Sequence, residues 1–314
     1  MDRAPHNFWR TFVNALASIW SMIILSTLFW GSNFNAAHAL AGELPALTSA
    51  AERFVLAMFV FLAVRLWRGR AESVLHGRDA WVLAPLGLLG VFGFNYAFFE
   101  AMRTTSALNA ALIMALSPLV SMLLSARLLK TPIKAAQWVG IGLAFAGVCL
   151  VITGGHPSQL HVAAGDAWML MACLAWSFYS VAAKRYAGHI PPMQFARWTV
   201  GIGTLALVVA AACLESPLPA LARASLRSHA ILLYMGVFGA YLAYVFWLRG
   251  VQAIGPDKAA IAFNLVPVFT LGVNLLLGQT PDASQVAGMV AVLAGVLVFN
   301  RWLRWPGALR QQAA

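Results

Sequence analysis

No charged side chain lies between Arg10 and Glu43, between Arg103 and Arg127, between Arg227 and Arg249, or between Lys258 and Asp282. Stretches of this length meet the roughly 20 residues a helix needs to cross the hydrocarbon of a bilayer. Ten spans follow from reading between the charges: 16–39, 45–64, 80–99, 107–128, 135–152, 167–183, 192–213, 230–248, 259–277 and 284–300. The second stands apart because Glu52 and Arg53 sit inside it. Hydrocarbon offers no partner to a backbone amide, so such spans must be helices. The ten-residue alternation of an outer-membrane barrel is absent. The expected fold class is therefore an all-α membrane protein.

Composition agrees. The 314 residues are 61% hydrophobic and 10% charged, against about 25% charged in a soluble domain. The net charge of +11 reports topology. With an even number of spans, only Arg103, Arg223 and Arg227 fall on one side, and Arg53 and Arg197 lie within spans. The remaining sixteen of the 21 Lys and Arg gather on the other side. The positive-inside rule then puts both termini in the cytoplasm of a multi-pass inner-membrane protein. No basic face with interleaved aromatics lies outside the spans, so nucleic acid is not an expected partner. Cys149, Cys173 and Cys213 all fall inside spans and read as small packing residues. Arg3, Arg10, an apolar run and Ala37-His38-Ala39 also fit a cleavable signal peptide. Against that stands a counterpart of the same segment in mid-chain.

That counterpart belongs to an internal repeat. Gly90-Val91-Phe92-Gly93 recurs identically as Gly236-Val237-Phe238-Gly239. The same shift relates Leu28-Phe29-Trp30 to Leu174-Ala175-Trp176 and Ala36-Ala37 to Ala182-Ala183. A slightly larger one relates Pro118 to Pro267, Thr131-Pro132 to Thr280-Pro281 and Ala146-Gly147-Val148 to Ala294-Gly295-Val296. Five spans per half make the second copy enter the membrane from the opposite side. The expected organisation is a first five-helix repeat over 16–152, an external linker over 153–165 and a second repeat over 166–302. Inverted repeats of this kind enclose a midplane substrate site in many secondary transporters. Pro118 and Pro267 should kink the fourth and ninth spans and free carbonyls there.

The Trp30-Gly31-Ser32-Asn33-Phe34 motif, the proline-kinked fourth span and the Gly-rich fifth span resemble the drug/metabolite transporter superfamily. More narrowly they are similar to its EamA-type ten-helix exporters, including the aromatic amino acid exporters. The resemblance implies two inverted five-helix repeats around a central cavity and export of amino acids or metabolites. Such proteins often carry a Glu just after the fourth helix of each repeat, where this chain has Lys130 and Gln279. Small four-helix members exchange a cation for protons at a buried Glu in their first helix. With no acid between Arg10 and Glu43, that mechanism does not transfer.

Polar groups inside hydrocarbon are costly and mark candidate sites. By depth these are Trp30 and Asn33 in span one; Asn95, Tyr96 and Phe99 in span three; and Ser117 before the kink in span four. Trp176 and Tyr179 follow in span six, Tyr241 and Tyr244 in span eight, and Asn264 before the kink in span nine. As repeat mates, Trp30 and Trp176 should face each other across one cavity. An amino acid needs acceptors for its ammonium, donors for its carboxylate and an apolar wall for its side chain. Asn and Tyr serve the charged ends, Trp and Phe the wall. Intramembrane Asn equally forms interhelical hydrogen bonds, and Trp67, Trp81, Trp302 and Trp305 fit interfacial anchors better. For proton coupling the candidates are Glu100 and His38, each also readable as a solvated charge at a span end. Gly140, Gly142, Ala144 and Ala146, with Gly288 and Ala291, give small-residue spacing for close helix packing, within a monomer or between the protomers of a homodimer.

No HExxH, GxSxG, phosphate-cradling glycine loop or His/Asp cluster is present, so neither an enzyme nor a cofactor or metal site is expected. The leading function is export of amino acids, aromatic or otherwise apolar, by alternating access across the bilayer. A passive channel and a carrier for nucleotide sugars or drugs remain the alternatives.

Overall fold

The computed structural model describes residues 19–68, 77–128, 130, 135–153, 163–254 and 262–299. Every regular element among them is a helix. The first repeat contributes α1 (Ile19–Leu40), α2 (Ala46–Arg68), α3 (Gly77–Ala101), α4 (Ala107–Leu128) and α5 (Ala135–Ile152). The second contributes α6 (Ala164–Tyr186), α7 (Pro192–Leu214) and α8, which runs from Leu226 to Ile254. It ends with α9 (Leu265–Leu276) and α10 (Ala283–Phe299), and a short helix, Pro217–Arg223, joins α7 to α8. These helices match the ten expected spans within a few residues. The segments 16–18, 259–261 and residue 300 lie outside the described residues.

By length and composition α2, α3, α4, α6, α7 and α8 are each apolar enough to cross a bilayer, while α9 and α10 contain shorter apolar helices, as α5 does. α1 has the length, 22 residues, but carries Asn33, Asn35 and His38. Both asparagines are buried among neighbouring helices, which lets a spanning helix tolerate them.

The halves interlock instead of sitting side by side. α1 packs on α8 and α9 of the second repeat, and its mate α6 packs on α3 and α4 of the first. α2 lies on α7 and on the middle of α8; α7 lies correspondingly on the middle of α3. α5 pairs with α10. Each contact thus has a counterpart with the repeats exchanged, the pattern of a pseudo-twofold axis between inverted repeats.

The repeated Gly-Val-Phe-Gly motif explains the shape of α3 and α8. In both helices it lies in a π-helical segment, Leu88–Gly93 and Met235–Leu242. There the Phe94 N–H reaches Leu89 O and the Ala243 N–H reaches Phe238 O, five residues back. Paired glycines weaken the α-helical register, and such widened turns concentrate at functional sites.

The prolines act one turn ahead of themselves. α4 is broken at Ala115-Leu116, so that Ala107–Met114 and Ser117–Leu128 are separate helices with Pro118 in the first turn of the second. In the second half, Ala262 and Phe263 are helical, Asn264 forms a turn, and Pro267 sits in the first turn of α9. Proline has no N–H for the carbonyl four residues back, which frees Met114 O and Phe263 O.

α5 and α10 meet through glycines placed on backbone. A Cβ on Gly147 would lie 2.7 Å from Gly288 O, and one on Gly295 would lie 2.7 Å from Gly140 O. These are the same contact seen from each repeat. The stripe that packs is Gly140, Ala144 and Gly147, and it works within the monomer. Gly142 meets nothing within 4 Å and Ala146 is exposed, so these two expected members of the stripe face outward. Cys173 is buried as expected, but Cys149 and Cys213 are exposed on the outer helix faces and do not pack the interior.

Candidate functional site

A cavity of about 130 Å³ lies between the two halves, walled by α1, α2, α3, α4, α6, α7, α8 and α9 together with Phe263. Its wall repeats the internal symmetry. Trp30 and Trp176, Asn33 and Tyr179, Phe54 and Val200, Phe94 and Ala240, Phe98 and Tyr244, and Met114 and Phe263 all line it, and each pair occupies equivalent positions in the two repeats. The pseudo-twofold axis therefore runs through the cavity.

Trp30 and Trp176 face it from opposite repeats, each within its own aromatic cluster. Trp30 lies 5.2 Å from Trp247 and 5.6 Å from Phe263, ring centre to ring centre. Trp176 lies 5.4 Å from Phe94 and 5.6 Å from Tyr179. The Trp30 indole N–H donates to Gly239 O at 3.1 Å, tying α1 to the π segment of α8. Both π segments also receive a cavity side chain. A Cβ on Gly239 would sit 1.9 Å from the Asn33 amide, and one on Gly90 would sit 2.2 Å from the Tyr179 ring. Asn33 and Tyr179 are repeat mates, and each reaches a glycine of the other half's motif, Tyr179 the first in α3 and Asn33 the second in α8.

Of the expected site residues, Trp30, Asn33, Asn95, Trp176, Tyr179 and Tyr244 line the cavity. Five others do not, for local reasons. Tyr96 turns to Phe92 and to Trp168, the latter 5.5 Å away edge-on. Phe99 is buried against Phe98. Ser117 is buried at the break in α4, and its carbonyl accepts the Ser177 hydroxyl at 3.1 Å. Tyr241 packs edge-on against Phe61 at 4.8 Å. Asn264 is buried between two lining residues, Phe263 and Val266, without facing the cavity itself. Depth along a helix, on which these five were expected, says nothing of the direction a side chain takes around it.

Several lining residues escaped the sequence reading, among them Phe34, Phe54, Phe94 and Phe98. A usable signal existed for one: the repeat shift that relates Trp30 to Trp176 carries Tyr244 back to Phe98. Arg53 was noted as charged within a span but not assigned to the site. It is 7% exposed, lines the cavity, donates from Nη1 to Asn95 Oδ1 at 3.2 Å, and holds its guanidinium 5.2 Å from the Phe54 ring centre.

The candidates for proton coupling lie elsewhere. Glu100 pairs with Arg103 at 3.0 Å, and His38 Nδ1 lies 3.3 Å from Met102 O. Neither lines the cavity. The remaining carboxylates of the described residues bind helix ends. Glu215 accepts from Leu47 N–H, Thr48 N–H and the Thr48 hydroxyl, which docks the end of α7 on the start of α2. Glu43 accepts from Ser225 and Ser228, and Glu52 meets His229 Nδ1 at 2.7 Å. On the opposite side of the bundle, Asp79 meets His189 Nε2 at 2.9 Å. Trp67 and Trp81 are more than four-fifths exposed near helix ends, as interfacial anchors are; Trp302 and Trp305 lie outside the described residues.

The sequence matches the model of the EamA-like transporter family twice, over residues 17–153 and 163–301. An uncharacterized transporter of Bacillus subtilis is 32% identical over 292 residues, which cover 92% of this chain and 95% of that protein. A protein of Streptantibioticus cattleyicolor named "Probable terminal-alkyne amino-acid exporter" is 26% identical, covering 90% of this chain and 93% of its own. An uncharacterized inner membrane transporter of Escherichia coli is also 26% identical, over 87% of this chain and 85% of its own. A protein of known crystal structure superposes with a TM-score of 0.68 at 20% identity, over 92% of this chain and 99% of that one, which bears on the fold alone. With two family repeats spanning the chain, an interlocked inverted-repeat bundle and a cavity on its pseudo-symmetry axis, the chain belongs to the EamA-like transporters of the drug/metabolite transporter superfamily: it is a multi-pass membrane transporter of a small molecule, not an enzyme.

Proposed function

We propose that this transporter exports amino acids, chiefly aromatic or other apolar ones, or closely related metabolites, by alternating access of the central cavity across the inner membrane. The observation that carries this reading is the wall itself, in which nine aromatic residues surround a few polar groups. Such a lining fits a solute with an apolar body and a polar end. The name borne by the Streptantibioticus cattleyicolor relative supports the same substrate class. The bias of basic residues supports cytoplasmic termini and an external linker over 153–165. The α5–α10 contact satisfies the small-residue stripe within one chain, which supports a monomer as the transporting unit.

Counterflow of radiolabelled phenylalanine, tryptophan and leucine into proteoliposomes, with and without a pH gradient, tests the proposal. Saturable exchange is the expected outcome. Trp176→Ala and Asn33→Ala should each abolish it while the protein still elutes as a folded, monodisperse species. Full activity in both variants overturns this assignment of the site. A flux that neither saturates nor shows counterflow makes the protein a channel, and absence of flux for every amino acid points to nucleotides, sugars or drugs.

A further inference from the structure

The charge inside the cavity is unbalanced. Among the described residues Arg53 is the sole charged one in the wall, and no Asp or Glu lines it. Arg53 is 7% exposed, yet among the described residues its guanidinium has only the neutral Asn95 amide as a hydrogen-bond partner, and its Nε is buried with none. Asn95 cannot turn away to relieve this, because its Nδ2 donates to Val91 O at 2.7 Å and so fixes Oδ1 toward Arg53. A second unpartnered group stands close by. Asn33 Oδ1 is buried without a donor, on a side chain that is 3% exposed. The two are held in register by one π segment, since Gly236 abuts the Arg53 backbone and Gly239, three residues on, abuts the Asn33 amide.

A buried cation without a counter-charge is strongly unfavourable, and intramembrane arginines pair with a partner or mark a substrate path. Guanidinium is a planar, always-charged donor matched to carboxylate. We infer that Arg53 is the substrate-anion site of this transporter: the carried solute must bear a carboxylate, which Arg53 binds, while an α-amino group is not required. Among the described residues no acid awaits an ammonium in this wall, and an amine finds neutral acceptors such as Asn33 Oδ1. This deepens the transport reading above and rests on it for the meaning of the cavity, but it concerns which end of the solute is recognised.

Two experiments separate the inference from that reading. In the first, thermal unfolding of the intact, detergent-solubilised protein is followed with phenylalanine, phenylpropionate, phenethylamine or inorganic phosphate, since a ligand that binds the folded state raises Tm. Phenylpropionate and phenylalanine should raise it comparably, and phenethylamine and phosphate should not. Equal shifts from phenethylamine, a larger one from phosphate, or none from either carboxylate would overturn the inference. In the second, Arg53→Lys and Arg53→Gln are compared by the same titration. Glutamine removes the charge while lysine keeps it, with the monodisperse elution of both variants as the check on folding, and apparent affinity for phenylpropionate should drop at least about tenfold in Arg53→Gln, with lysine intermediate. Unchanged affinity in Arg53→Gln would also sink the proposal. Counterflow reports on the transport reading separately: carboxylate binding without any flux leaves the anion site in place and removes the proposed export.

Discussion

Two regions of this protein are built by the same trick and behave differently. At the periphery, α5 and α10 approach until a Cβ on Gly147 or Gly295 would strike a backbone carbonyl 2.7 Å away. In the centre, α8 and α3 carry Gly239 and Gly90, where a Cβ would strike the Asn33 amide and the Tyr179 ring. Backbone in a packed helix cannot step aside, whereas a short amide such as that of Asn33 can rotate into the adjoining cavity. Glycine at the edge therefore fastens the repeats together. Glycine in the middle sets where the cavity's own side chains stand, and it lies in π segments whose hydrogen bonds are already strained toward another register.

The comparison breaks most easily at the periphery. Gly147→Ala and Gly295→Ala should each cost about 1–3 kcal/mol through overpacking, seen as loss of the monodisperse peak after heating. Gly142→Ala in the same helix, where nothing lies within 4 Å, should be neutral or stabilising by up to about 1 kcal/mol. If all three behave alike, the α5–α10 contact is not what holds the repeats. In the centre, Gly239→Ala should leave the folded yield near that of the unaltered protein and move the KM for counterflow several-fold. Loss of fold there would erase the distinction. Trp30→Phe sharpens it by removing one donor and little volume. The lost bond to Gly239 O amounts to about 1 kcal/mol, read as a modest rise in KM with stability nearly kept.

The smallest effect lies outside the bundle, at the start of α10. Asp282 accepts from the Ser284 hydroxyl at 2.6 Å and from Gln285 N–H at 2.8 Å, and these bonds hold its carboxyl below the usual carboxylate range. A lowered folded pKa means the cap is fully present above the ordinary carboxylate pKa and is lost as pH falls through the lower folded value. Asp282→Ala should cost about 0.5 kcal/mol at neutral pH, the low end for an exposed N-cap, and the difference between the two proteins should vanish in acid. A cost that persists at low pH would mean the side chain acts by something other than its charge.

How much of this was legible in advance varies with the kind of information. The spans were, because an uncharged run of twenty residues has few alternatives in any solvent. So was the break ahead of Pro118 and Pro267, which follows from a missing N–H and needs no neighbour to decide it. Six of the eleven residues expected at the site line the cavity and five do not. Tyr241 and Tyr244 lie at similar depth on α8, yet Tyr244 lines the cavity and Tyr241 meets Phe61 on α2. Arg53 stood in plain view in span two, but its significance depends on the absence of Asp and Glu from the described cavity wall, and a linear sequence does not list absences in space.

The sequence by itself determined the ten membrane helices, their division into two inverted copies and the place of the identical Gly-Val-Phe-Gly motifs, since each follows from hydropathy, backbone hydrogen bonding and repetition along the chain. Only the tertiary structure decided that the copies interlock, that the motifs become paired π segments, which glycines meet backbone and which meet side chains, and that one arginine is left without a counter-charge in an aromatic cavity. Those outcomes depend on rotation about helix axes and on contacts between residues far apart in sequence. A few tens of degrees of rotation turn a cavity residue into a packing residue without changing a letter of the chain.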